Sequence, residues 1–492
     1  MTKSRTLALP PLLWLLIVSV AIASIAIALN LTASIRLDEA QSIWASTKTV
    51  PGILKYIAQD VHVPLYNLLL HFWIQFFGTN VLLLRLMSLI FFVACVPAVY
   101  TLSKHASNAR VARLTTSLFC LSPFLTWYST ETRMYTLLTL LSILSHFFFL
   151  KILQSNLPKN LAWYTVVGII GLYTHYFFGI ILALQTLYFI GRARSERYTW
   201  QRVLQYFTTL VVMGIALLPW MAYVFSQGGA SNTKPMLAAP TSYNIMQLFV
   251  HFFTGFQSPT VQSGLISVWP IAVLLLFFTF SRKVALKLAY TDYFFFMTFA
   301  PIVLAYIVSL TIQPILVSRY LIFITPTLFY LMAIILIHFN RLIFGTIIGI
   351  VIVSNFVFQY QQALSNRIAE RENYEAVAQY LSENATDGDI VVVTAPFTVY
   401  PIEYDYKGKA RIDTIPLWNR YVSGSIPPYS EENLAKQIQT YQAVYNRMYV
   451  VFSYNQGYEL DTKQYLDNNL ERQKVQVFSP GLEVYEYQLS YL

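Results

Sequence analysis

Acidic residues are scarce in the first 360 positions, where only six stand against 22 lysines and arginines. Asp38 and Glu39 are adjacent and follow the first long apolar run. Asp60 opens Asp60-Val61-His62-Val63-Pro64-Leu65-Tyr66, and Glu131 lies in Trp127-Tyr128-Ser129-Thr130-Glu131-Thr132-Arg133-Met134-Tyr135. Glu196 and Asp292 complete the set. A carboxylate in a basic, partly desolvated cleft can serve as a general base. Adjacent side chains point differently, so Asp38 and Glu39 divide two tasks, one facing a reacting hydroxyl and one anchoring the loop. The competing reading makes both solvated residues at a helix end. Asp60 and His62, two apart, could co-ligate a divalent metal in an extended stretch. Two ligands are not a site, however, and a turn ending at Pro64 explains the same residues. Glu131 and Arg133 either pair with each other or act on a ligand. Ser318-Arg319-Tyr320 enters an apolar run containing Pro326. An arginine there is costly unless paired. Its partner is either an anionic phosphate, held through paired hydrogen bonds, or the headgroups to which a long side chain snorkels.

The elements that must position these residues are membrane spans. The chain is 56% hydrophobic and only 11% charged, against about 25% charged in soluble domains. Runs long enough to cross ~30 Å of hydrocarbon occur near 7–29, 80–102, 111–128, 134–151, 161–176, 177–191, 203–225, 265–281, 290–311, 319–338 and 342–359. The first follows a short basic tail without a small-residue cleavage site and reads as a retained anchor. With the N-terminus in the cytoplasm, 15 basic residues fall in inner loops and seven outside, as the positive-inside rule requires. The positive charge is therefore a topology signal and not a sign of nucleic acid. Asp38, Glu39, Asp60 and Glu131 then lie outside, as does everything after residue 360. Within the first outer loop, 30–79, Pro64 to Phe77 is apolar but too short to span and reads as a helix along the membrane surface. The loop 226–263, rich in Gly, Pro and Ser, reads as a mobile lid. Cys95 and Cys120 both sit in apolar runs, which leaves no disulfide framework and no cysteine zinc site.

Composition reverses after residue 360. Residues 1–360 carry a net +16 and residues 361–492 a net −6. Helices are expected at 368–383, 431–445 and 461–470, and strands at 389–394, 448–453, 474–478 and 482–487. This alternation predicts a small α/β domain. The expected architecture is a polytopic α-helical membrane protein of about 11 transmembrane helices over 1–360, with outer juxtamembrane helices and a C-terminal α/β domain over 361–492.

Taken in order, Asp38-Glu39-Ala40, Asp60-Val61-His62-Val63-Pro64-Leu65-Tyr66, Glu131-Thr132-Arg133-Met134-Tyr135 and Arg319-Tyr320 followed by Pro326 resemble the integral-membrane glycosyltransferases that use polyprenyl-phosphate sugars. Within that GT-C class the pattern is most similar to the family-39 group, which holds protein O-mannosyltransferases and aminoarabinose transferases. One departure is Val63, where the family usually has a first proline after the histidine. The resemblance implies sugar transfer on the extracytoplasmic face of the cell membrane from a polyprenyl-phosphate donor to a protein, lipid or glycan. It implies Asp38 as the base, with Glu39 beside it. Arg319, backed by Arg133 and Arg85, would hold the donor phosphate. Asp60, His62, Tyr66, Glu131 and Tyr320 would shape the site, with Asp60 and His62 open to a metal. The competing class is a transporter or lipid-linked sugar flippase, whose polar and broken helices usually lie at mid-membrane.

Overall fold

The computed structural model describes residues 9–228, 238–268, 290–365, 367–368, 370–421 and 426–489. The chain forms two compact units. The first comprises Met1–Thr32, His62–Ser226 and Leu237–Leu364, and the second Ala33–Val61, Gln227–Met236 and Ser365–Leu492. The first outer loop of the sequence reading thus divides at residue 61, because Leu37 packs into the core of the C-terminal domain.

The first unit is helical. Its helices are α1 (Leu9–Leu31); α4 (Leu65–Phe77), α5 (Val81–Ala106), α6 (Ala109–Leu121) and α7 (Pro123–Ser129); α8 (Tyr135–Gln154), α9 (Pro158–Thr174), α10 (Phe178–Ser195) and α11 (Trp200–Ser226); then α12 (Ser242–Thr254), α13 (Thr291–Thr311), α14 (Thr325–Leu336) and α15 (Arg341–Leu364). The second unit begins with α2 (Leu37–Ser46) and α3 (Val50–Ala58). Among the described residues, seven helices are long and apolar enough to cross a membrane. They match seven of the eleven expected spans; the one at 265–281 falls mostly outside the described residues. Two others, α9 and α10, are shorter helices separated by a tight turn in which the Phe177 N–H donates to His175 Nδ1 at 3.1 Å. The run 111–128 is broken. Ser122 ends α6, and its hydroxyl accepts the Leu125 N–H, with Pro123 opening α7. The same hydroxyl donates to the Phe252 carbonyl at 2.8 Å. From Leu114 to Thr139 every residue is buried, and the second half of α6 and all of α7 are therefore enclosed on all sides.

Helix α4 is amphipathic, burying Tyr66, Asn67, Leu70 and His71 while Phe72, Phe76 and Phe77 stay exposed. Thirteen residues rise only about 20 Å, too short to span. The segment expected as a lid is largely helical where described, with α12 and a further helical stretch at 259–268. Gly255 closes α12 with φ +67°, and a Cβ there would meet Gln362 and the Pro123 ring. Gln362 holds this junction, donating to the Pro123 carbonyl at 2.8 Å and accepting the Phe256 N–H at 2.7 Å.

In the C-terminal part, the helices are α16 (Tyr374–Asn384), α17 (Val399–Asp405), α18 (Glu431–Gln442) and α19 (Glu459–Asn469). The strands are β1 (Asp389–Val393), β2 (Arg411–Thr414), β3 (Arg447–Phe452), β4 (Glu471–Ser479) and β5 (Leu482–Gln488). They form one sheet in the order β2-β1-β3-β5-β4, parallel from β2 to β3 and antiparallel thereafter. Alternate residues of β1 face opposite cores. Val391 and Val393 pack with α16, Ile402 and Leu37, whereas Ile390 and Val392 pack with α18 and Leu466. The expected helix at 368–383 starts only at Tyr374. Strand β2, short and carrying Arg411 and Asp413, gave no apolar signal.

Candidate active site

Of the acids near the start of the second unit, Asp38 and Glu39 lie in the first turn of α2 and Asp60 in the turn after α3. Glu39 is fully buried, and its Oε2 accepts the Arg36 N–H at 3.0 Å, the return half of a capping box. Of the adjacent pair it is the anchor. Asp38, half-buried in the same first turn, sits where the helix N-terminus favours negative charge, and its carbonyl accepts the Ser42 hydroxyl at 2.9 Å. Asp60 accepts the Val61 N–H at 2.7 Å and acts electrostatically on Tyr400. Helix α2 is braced by Gln41, which donates to the Tyr56 hydroxyl at 2.9 Å, and by packing on α17.

The cations gather in the first unit. Arg133 donates to His62 Nε2 at 2.6 Å, which engages that nitrogen's lone pair. The turn carrying Glu131 and Arg133 is buried. A chain of hydroxyls fixes it: the Tyr66 hydroxyl lies 2.9 Å from Ser88 Oγ, which donates to the Arg133 carbonyl at 3.2 Å. His175, which follows the last residue of α9, lies within electrostatic reach of His62, Arg133 and Arg319. Its ring stands 5.6 Å from that of Tyr320, and the Arg319 guanidinium carbon is also 5.6 Å from the Tyr320 ring. Arg319 and Tyr320 lie on a short 3-10 helix, Ser318–Ile324, held at its start by the Ser309 hydroxyl, which accepts the N–H groups of Ile315 and Leu316. His251 of α12 bonds the Ser318 hydroxyl at 3.1 Å, and Gln262 bonds the other ring nitrogen at 3.0 Å.

The structure thus brings together Arg133, His62, Arg319 and Tyr320, and adds His175 and His251. With only seven histidines in the chain, their rarity was the signal that could have drawn attention to both. Two arginines with imidazoles around them form a setting suited to an anion. Arg85 is held at the end of another helix. It is fully buried and donates to the carbonyls of Asn30 and Leu31 at the end of α1, at 3.3 and 2.8 Å.

Residues 61–223 match the family described as dolichyl-phosphate-mannose-protein mannosyltransferase. That stretch holds His62, Tyr66, Arg85, Glu131, Arg133 and His175. No curated protein sequence matches the chain. Among solved structures the fold is similar to ArnT from Cupriavidus metallidurans bound to undecaprenyl phosphate, with TM-score 0.62 and 10% identity over 98% of each chain. The apo form of ArnT gives TM-score 0.60 and 11% identity over 96% of this chain and 97% of that one. The Archaeoglobus fulgidus oligosaccharyltransferase, in complex with zinc and sulfate, gives 0.51 and 13% identity over 97% of this chain and 73% of that one. At these identities the likeness is one of fold: a polytopic helical membrane protein with a small C-terminal sheet domain. The resemblance stated from the sequence is met by both the family match and the fold.

Zinc is bound in the last of these structures. Among the described residues no three His, Cys, Asp or Glu side chains converge. Of the pair open to a metal, His62 Nε2 is taken by Arg133 and an Asp60 oxygen by a backbone N–H. With one donor atom of each already engaged and no third ligand beside them, the pair does not make up a metal site among the described residues.

Proposed function

We infer that this chain is a glycosyltransferase that moves a sugar from a polyprenyl-phosphate donor to an acceptor hydroxyl on the extracytoplasmic side of the membrane. The observation that carries this reading is the gathering of Arg133, Arg319, His62 and His175, in a chain whose family match spans three of these four residues. The phosphate of the donor is a good leaving group and needs no acid to protonate it. What it needs is positive charge as it departs, an electrostatic contribution worth about 3 kcal/mol per well-placed donor. Arg319 and Arg133 supply it, with guanidinium forks that match phosphate geometry. Tyr320 and the imidazoles shape their surroundings. Asp38 is the base: it takes the proton from the acceptor hydroxyl as that oxygen attacks the anomeric carbon. Attack opposite the leaving phosphate inverts the anomeric centre, by the geometry that also governs inverting glycosidases. Glu39 serves by capping the helix that carries Asp38.

The test uses purified protein in lipid, a panel of labelled polyprenyl-phosphate sugars and membrane extract as acceptor. Wild type transfers label and Asp38→Asn does not, although it inserts and folds. Wild-type turnover in that variant removes Asp38 as the base. Binding without transfer from any donor moves the reading to a lipid-linked sugar flippase.

A further inference from the structure

The helix that presents Asp38 starts against a segment far along the chain. Leu37 is the first residue of α2, and its backbone N–H has no partner within the helix. The Glu372 carboxyl accepts that N–H and also accepts the Tyr454 hydroxyl, and it lies within electrostatic reach of Asp38. Three residues on, the Glu375 N–H donates to Ser34 Oγ at 3.1 Å, and the Leu37 side chain packs into the core beside Tyr374. Resting on the reading of Asp38 as base, we propose that Glu372 is a positioning residue for it, holding the first turn of α2 by the Leu37 N–H and setting the charge that Asp38 meets.

The charge state follows from the surroundings. Asp38 and Glu370 face Glu372 with like charge, and Tyr454 and Tyr374 face it from the other elements packed there. Arg36 and Arg371 flank the two contacting residues in sequence. Withdrawal from water, with Asp38 adding to it, pushes the Glu372 carboxyl up to about 8. At neutral pH Glu372 is therefore held largely protonated and adds little negative charge beside Asp38. Above that range the proton leaves Glu372, the two carboxylates repel, and Asp38 is drawn out of line.

The experiment is the sugar-transfer assay across pH 5.5–9.5 on full-length wild type, Asp38→Asn, Glu372→Ala and Glu372→Gln. Glu372→Ala loses the acceptor for the Leu37 N–H, and kcat is expected to fall about tenfold to a hundredfold with the donor KM unchanged. Glu372→Gln keeps an acceptor and cannot ionise. It restores most of that kcat, and its profile lacks the wild-type decline centred near pH 8. If Glu372→Ala fails to fold, the Glu372→Gln profile decides alone. Inactive Asp38→Asn together with Glu372 variants of wild-type kcat and pH profile overturns the proposal and leaves the base assignment standing. An active Asp38→Asn overturns the base assignment, and the role given to Glu372 falls with it.

Discussion

At the scale of single residues, two arginines that look alike in sequence, Arg85 and Arg319, are held in different ways. Arg85 is wholly buried against the end of α1, where its guanidinium replaces hydrogen bonds that the last carbonyls of a helix otherwise lack. Truncating it forfeits hydrogen bonds to a charged group, worth about 1.5–3 kcal/mol. Arg85→Ala should therefore lower the thermal midpoint in detergent. Arg319→Ala should leave the midpoint nearly unchanged and raise the donor KM about tenfold, a difference of about 1.4 kcal/mol in binding. Thermal unfolding and donor titration of both variants check this, and equal behaviour of the two removes Arg319 from the phosphate site. The sequence announced the candidate cations and acids because charge in an apolar chain is rare and expensive. It was silent on Arg85's carbonyl partners, on Glu39's cap and on Glu372, since each depends on a backbone group that only the fold supplies.

At the scale of elements, apolar runs located the helices, but not where tertiary contacts cut them. Ser122 and Pro123 split one predicted span, and residues 370–373, expected in a helix, form a turn and an irregular stretch that ends at Asn373, whose side chain caps α16. The helical bundle also contains a polar junction that hydropathy averages away. Gln185 of α10 accepts from Ser145 at 3.0 Å and from Tyr164 at 2.8 Å, and its amide donates to Tyr293 at 3.1 Å. His146 bonds the same Tyr293 hydroxyl at 2.7 Å. Four helices, α8, α9, α10 and α13, meet at this one side chain. Gln185→Leu strands buried hydroxyls, each costing about 1–3 kcal/mol. The expected outcome is a clear drop in thermal midpoint with sugar transfer per folded molecule unchanged. An unaltered midpoint would mean that the junction adds nothing to stability, as when the stranded groups find other partners in the bundle.

At the scale of the whole molecule, composition separated a basic apolar part from an acidic one, and the chain forms a helical unit and a sheet-bearing unit. What composition missed was the passage of Ala33–Val61 into the second unit, since two short helices with one apolar stripe look the same whichever core they join. The direction in which the chain threads the membrane rests on charge asymmetry: 15 basic residues in the loops assigned inside and seven in those assigned outside. The two natural cysteines offer a clean way to test it, because Cys95 and Cys120 are both buried and should stay dark to a maleimide that cannot cross membranes. Lys474→Cys, on exposed positions of β4, should then label in intact cells, whereas Arg194→Cys, at the exposed end of α10, should label only after the membrane is opened. The reverse pattern would put the C-terminal domain in the cytoplasm. Asp38 would go with it if the first span keeps its place, and the acceptor would have to be sought among cytoplasmic molecules.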